Sequence, residues 1–154
     1  MKTRTLVLIL ILVMAILIVV GNCATRKIAI SEEDFLEAFS GIWINTEYEF
    51  KGDVSCVQKF VWYPDGRYKC YSLVTHDVPA GFGRYEIIDM WEDSNGDIWY
   101  TLKAQSDIGR GYYMGRISDS GNTNETLYNM FGDPIEEWDP DNVRYRYWIH
   151  YRQE

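Results

Sequence analysis

Residues 54–74 read VSCVQKFVWYPDGRYKCYSLV. Two runs rich in β-branched and aromatic residues flank Tyr63-Pro64-Asp65-Gly66. Pro followed by Asp and Gly suits a type I turn with glycine at the left-handed position. The stretch is therefore an antiparallel hairpin, with strands near 54–62 and 67–75. In this register the numbers of facing residues sum to about 130. Cys56 then faces Val74, and Cys70 faces Phe60. The two sulfurs share a face but lie four residues apart along the hairpin, about 13 Å at ~3.3 Å per residue. A disulfide needs α-carbons within about 7 Å. Two free, buried thiols are expected, although an exported pair of cysteines would otherwise suggest a bridge.

The same alternation of strand-like runs and turn clusters continues on both sides. Strands are expected near 42–50, 84–92, 97–104, 111–118, 124–131 and 143–152. Lys51-Gly52-Asp53, Ser94-Asn95-Gly96-Asp97 and Asp119-Ser120-Gly121-Asn122 supply the turn chemistry. Upstream, Ser31 can cap a short helix that carries Glu32, Glu33 and Asp34 in its first turn. Phe35, Leu36 and Phe39 form its apolar stripe. Eight sequential antiparallel strands leave two open edges unless the sheet closes. The expected fold is all-β: an eight-stranded antiparallel up-and-down barrel, with the short helix at its closed end. A two-sheet sandwich is the structural rival. Residues 31–154 make one domain, with no internal repeat.

The first 22 residues are of another kind. Leu6 to Val20 is an unbroken run of 15 apolar residues behind Lys2 and Arg4. That matches the charged and apolar regions of an export signal. A membrane-spanning helix is the alternative, but it needs about 20 apolar residues. The run ends at Val20-Gly21-Asn22-Cys23, which resembles the lipobox of bacterial lipoproteins; Asn22 departs from the small residue usual before the cysteine. The resemblance implies a signal peptide over 1–22, a lipidated Cys23 and a linker over 23–30. Cleavage near Ala24 in ordinary secretion is the competing reading. Ala24 after the cysteine favours the outer membrane, so the lipid-anchored domain would face the periplasm or the exterior of the bacterial cell envelope.

A second resemblance enters at Phe39-Ser40-Gly41-Ile42-Trp43. It is similar to the Gly-x-Trp motif that opens the first strand of lipocalins after a short helix. In that family the Trp packs against an Arg of the last strand. The resemblance implies structural roles for Gly41, Trp43 and Arg152, which stacks on the indole. The family's Thr-Asp-Tyr motif is not visible, and the mature chain is short. The likeness is therefore to the broader calycin barrels.

All 24 aromatic residues lie beyond the apolar run. Side chains alternate between faces along a strand. On 143–152 one face is Val143, Tyr145, Tyr147, Ile149 and Tyr151, and the other is Arg144, Arg146, Trp148, His150 and Arg152. Burial favours the tyrosine face inward; the Trp43–Arg152 contact favours the other. With tyrosines inward, the lining would be Phe60, Trp62, Tyr68, Tyr85, Tyr100, Tyr112, Tyr145 and Tyr147, joined by Ile87, Leu102 and Met114. Such a lining suits a small apolar or amphipathic ligand. It equally suits a solid aromatic core, because an eight-stranded barrel is just wide enough for either.

Other classes are disfavoured. Without Lys2 and Arg4 the chain has 13 basic and 23 acidic residues, a net of −10, which phosphate repels. Nucleic acid is not an expected partner. His76 and His150 have no ligand-like spacing to a cysteine. Asp93-Ser94-Asn95-Gly96-Asp97 lacks the length of a calcium loop. No metal or cofactor is expected. No nucleophile elbow or phosphate loop occurs, so no enzyme is expected. Asp133 to Asp141 reads as a solvated acidic loop. The expected function is ligand binding by a monomeric, membrane-anchored barrel. The alternative is an envelope interaction or inhibitor module with a filled barrel.

Overall fold

The computed structural model describes residues 27–45, 57–72, 78–107, 109–118, 120–129 and 132–153. Among the described residues one helix, α1 (Glu32–Phe39), precedes eight strands. These are β1 (Gly41–Ile44), β2 (Val57–Trp62), β3 (Arg67–Ser72), β4 (Gly81–Glu92), β5 (Ile98–Ser106), β6 (Gly109–Ile117), β7 (Thr123–Asn129) and β8 (Arg146–Gln153). Each pairs antiparallel with the next, and β8 pairs back onto β1, so the sheet is a closed up-and-down barrel. The sandwich is excluded.

Turn chemistry sets the register. Lys59↔Tyr71, Phe60↔Cys70, Val61↔Lys69 and Trp62↔Tyr68 all keep the expected sum, and a bulge then shifts Val57 onto Ser72. Gly66 takes φ +80°, and its amide donates to the Tyr63 carbonyl at 3.2 Å. The β4–β5 turn repeats this pattern: the Gly96 amide donates to the Asp93 carbonyl at 3.2 Å. The Asp93 carboxylate also accepts from the amides of Asn95 (2.7 Å) and Asp97 (3.2 Å) and from the Trp99 indole at 2.9 Å. Burial pushes its pKa up, but these donors and Arg116 outweigh it and hold it below the usual carboxylate range. The sequence is thus a hairpin turn. Among the described residues no group of three or more His, Cys, Asp or Glu could hold a metal ion.

α1 closes one end. Ser31 Oγ accepts from the Asp34 amide at 3.1 Å and donates to its carboxylate at 2.6 Å. Phe35 and Phe39 are fully buried and plug the barrel. The Trp43 indole donates to the Phe39 carbonyl at 2.8 Å. Gly41 joins α1 to β1 at φ +131°, a conformation that other residues rarely adopt. Arg152 faces Trp43 in the register, and its guanidinium lies 5.1 Å from the indole. The same group donates to the carbonyls of Glu37 (3.1 Å), Ala38 (2.8 Å) and Ser40 (2.8 Å), which fall at the end of α1.

Two strands have the opposite parity from that expected. On β8, Trp148 and His150 point inward, while Tyr147 is 37% exposed. Its hydroxyl donates to Glu125 Oε2 at 2.8 Å on the outside. On β6, Tyr113 is in the core, and Tyr112 packs on the outer side with Met114. The physical reason is a second apolar cluster outside the barrel. Residues 132–145 cross the outer face as a strap. Ile135 is buried against Met114 and Leu127, with Trp91, Tyr112, Trp138 and Tyr145 around them. The acidic loop is therefore docked, not merely solvated. Strand 143–152 correspondingly starts at Arg146, since Val143 to Tyr145 belong to the strap's end.

Cys70 is a free, buried thiol, as its register requires. Cys56 lies outside the described residues, as do Cys23, the 1–22 segment and residues 46–50. No described helix is long and apolar enough to cross a membrane.

Candidate functional site

The barrel interior is a ladder of rings. Phe35 stacks on Phe39 (centroids 5.1 Å apart), and Phe39 meets Trp62 (4.9 Å), Tyr85 (5.6 Å) and Tyr100 (4.9 Å). Trp62 continues to Tyr68 (5.0 Å) and stacks on Phe60 (5.1 Å). Phe60 meets Tyr113 edge-on (6.1 Å), Tyr113 stacks on Tyr128 (4.7 Å), and Tyr128 stacks on Trp148 (5.5 Å). These distances are those of favourable aromatic pairs, each contributing about 0.5–1.5 kcal/mol beyond burial. β6 makes room for the ladder. A β-carbon at Gly115 would collide with the Tyr100 ring, and one at Gly111 with the Tyr128 ring.

Two of the buried phenol hydroxyls are satisfied by protein groups. Tyr100 donates to Asn124 Oδ1 at 3.0 Å and lies 3.3 Å from Thr126 Oγ1. Tyr85 donates to the Tyr63 carbonyl at 2.7 Å. Burial pushes the Tyr68, Tyr85 and Tyr100 hydroxyls up to about 12. Burial, then the neighbouring Tyr128 and Tyr68, pushes Tyr113 well up. Burial raises the Cys70 thiol to about 11, and its sulfur lies 3.5 Å from the Gly81 carbonyl oxygen. Their raised values keep these five groups uncharged at neutral pH.

Of the residues expected to line a ligand site, Phe60, Trp62, Tyr68, Tyr85 and Tyr100 are interior, as is Leu102. Ile87 is half-buried beside them. Tyr112, Tyr145 and Tyr147 are on the outer side, so they cannot line the interior. Tyr113, Trp148 and His150 take the inward places. The alternation Gly111-Tyr113-Gly115-Ile117 was the available signal, because small and large residues interdigitate in a tapered barrel.

Comparison with known protein families, curated proteins and solved structures finds no match to this chain. The lipocalin and lipobox likenesses thus remain resemblances of motif, and what the structure shows is the eight-stranded antiparallel barrel.

Several clefts among the described residues lie outside it. One, about 670 Å³, runs between α1, the β2–β3 turn and the lower half of β4, lined by Leu36, Pro64 and Ile87 with Glu32 and Glu86. β3 pairs only from Arg67 to Cys70 with β4, so β4 extends past it. A second cleft of about 490 Å³ lies under the acidic strap. Near it, Arg116 pairs with Glu125 (2.6 Å) and Asp97 (3.6 Å) and lies over Trp99 (5.4 Å).

Proposed function

We propose that this chain is an exported, lipid-anchored and non-enzymatic interaction module of the bacterial envelope, whose filled barrel is a rigid display for its outer surface. The observation that carries this reading is the unbroken ring ladder from Phe35 to Trp148, with Tyr100 and Tyr128 pressed against the glycines of β6. A site for a drug-sized ligand occupies roughly 300 Å³ or more, and the ladder occupies that place. The uncharged, sealed hydroxyls and the raised Cys70 thiol support a structural interior. The lipid anchor rests on the Val20–Cys23 motif.

A second reading, a small amphipathic ligand at the open end, is favoured by one feature. Cys70, Ser72, Gly81 and Ala104 put small side chains on one inner wall there. Native mass spectrometry of protein purified from its own source separates the two. The filled-barrel reading expects the bare polypeptide mass plus acyl chains. A stoichiometric co-purifying small molecule would replace it with the ligand reading. Cys23→Ser should release the protein from membranes; retention of that variant would defeat the anchor.

A further inference from the structure

We propose that the outer wall centred on β3 and β4, with β2 and β5 at its flanks, faces the anionic lipid headgroups of the membrane that holds Cys23. The proposal rests on the lipid-anchor reading above. Lys59, Arg67, Lys69, Arg84 and Lys103 all occupy outward positions on this wall. The register brings them together: Lys69 faces Phe82, Arg67 faces Arg84, and Lys103 faces Glu86. Asp65 binds Arg67 at 2.6 Å. With Lys27 on Asp89, six cations thus stand against four carboxylates, Asp65, Glu86, Asp89 and Glu92, on a mature chain whose net charge is −10. Like charges directly opposite each other destabilise a sheet. Arg67 and Arg84 hold such positions, and Asp65 neutralises one of them.

Apolar points rise among the cations. Phe82 is 58% exposed beside Lys69, and Val78 is 66% exposed just before β4 begins. Cations around isolated apolar side chains match the chemistry of a headgroup layer over acyl chains. Charge is also polarised around the barrel. The strap with Asp133, Glu136, Glu137 and Asp139 is centred on Met114 of β6 and Leu127 of β7 and reaches Trp99 of β5, with Trp91 of β4 at the cluster's edge; β7 lies four strands around from β3. An anionic surface would attract one wall and repel the other.

The tether leads to the same wall. Lys27 Nζ lies 3.6 Å over the Trp91 ring and 3.4 Å from Asp89, both on the lower part of β4. Lys27 follows Cys23 by four positions, so at most about 14 Å of chain joins the lipidated residue to β4.

The experiment uses the mature protein isolated from membranes and reconstituted into vesicles of phosphatidylcholine, with or without phosphatidylglycerol. Intact mass first reports whether Cys23 carries acyl chains; their absence overturns the anchor and this proposal with it. Acetylation of individual lysines by an amine-reactive ester is then followed by mass spectrometry. On phosphatidylglycerol vesicles Lys59, Lys69 and Lys103 should label about fivefold more slowly than on phosphatidylcholine, the factor expected for one basic charge near an anionic surface. Salt of about 0.5 M should abolish the difference. Arg84→Glu with Phe82→Ser, both at exposed positions, should abolish it while leaving the acyl mass and the circular dichroism unchanged. Equal labelling of an acylated protein on both vesicles overturns the docking and leaves the anchor standing. Protection seen in whole envelopes but not on vesicles overturns it in favour of an acidic protein partner.

Discussion

The protein has two aromatic clusters, one inside the sheet and one outside, and they are held by different means. The interior ladder is enclosed by eight hydrogen-bonded strands and sealed by α1. The outer cluster is covered by residues 132–145, which form no strand. Trp138 meets Trp99 edge-on at 5.2 Å and Tyr147 at 6.2 Å. Irregular chain held by a few apolar contacts opens at lower free energy than a closed sheet. Similar side chains therefore serve two purposes: inside they fix a shape, and outside they hold a removable cover.

Alkaline titration should act most strongly on the interior. Tyr68, Tyr85 and Tyr100 have raised values of about 12 against 10 in the unfolded chain. The unfolded state thus loses its protons first as pH rises. Their contribution is complete below pH 10 and is lost between about 10 and 12. Phenolate absorbance and circular dichroism should change together there. Ionisation of all 12 tyrosines near pH 10 with the fold intact would show that the ladder is open to water.

Gly115→Val should be the most damaging substitution, since its branches meet the Tyr100 ring. A loss of about 3 kcal/mol or more is expected in chemical denaturation. A loss below about 1 kcal/mol would mean that the ladder has slack. Arg152→Ala removes the indole contact and three carbonyl partners. It should cost about 2–3 kcal/mol, with Lys at this position recovering only part. Trp138→Ala should cost least, about 1–2 kcal/mol. Hydrogen exchange should speed up in 132–145 and stay slow in β4 to β7. If exchange rises equally in both, the two clusters form one cooperative unit and the contrast between them fails.

Much of the barrel was legible because turns announce themselves. Pro64-Asp65-Gly66 set the register of β2 and β3 from Lys59 to Trp62. Gly41, Trp43 and Arg152 were legible as a structural trio through the likeness to the lipocalin Gly-x-Trp motif, and closure of β8 onto β1 brings Arg152 opposite Trp43. Parity was harder. β6 and β8 carry apolar residues on both faces, since the strap covers the outside of one wall. Alternation identifies the inner face only where the outer face meets water. Tyr112, Tyr145 and Tyr147 were placed inside for that reason. The candidate surface patch was less legible still. Arg67, Lys69, Arg84 and Lys103 are scattered along the sequence, and only the β3–β4–β5 register gathers them.

The seam between β1 and β8 joins the first strand to the last. As the chain emerges from its N-terminus, β1 has one neighbour at most until Arg146–Gln153 arrives about a hundred residues later. Closure is thus the final event, and it is the same event that brings Arg152 to the end of α1. Until then an open strand edge is available to other chains. The interval between the first strand and the last is a window of vulnerability written into the topology, and it ends when the C-terminal strand zips shut.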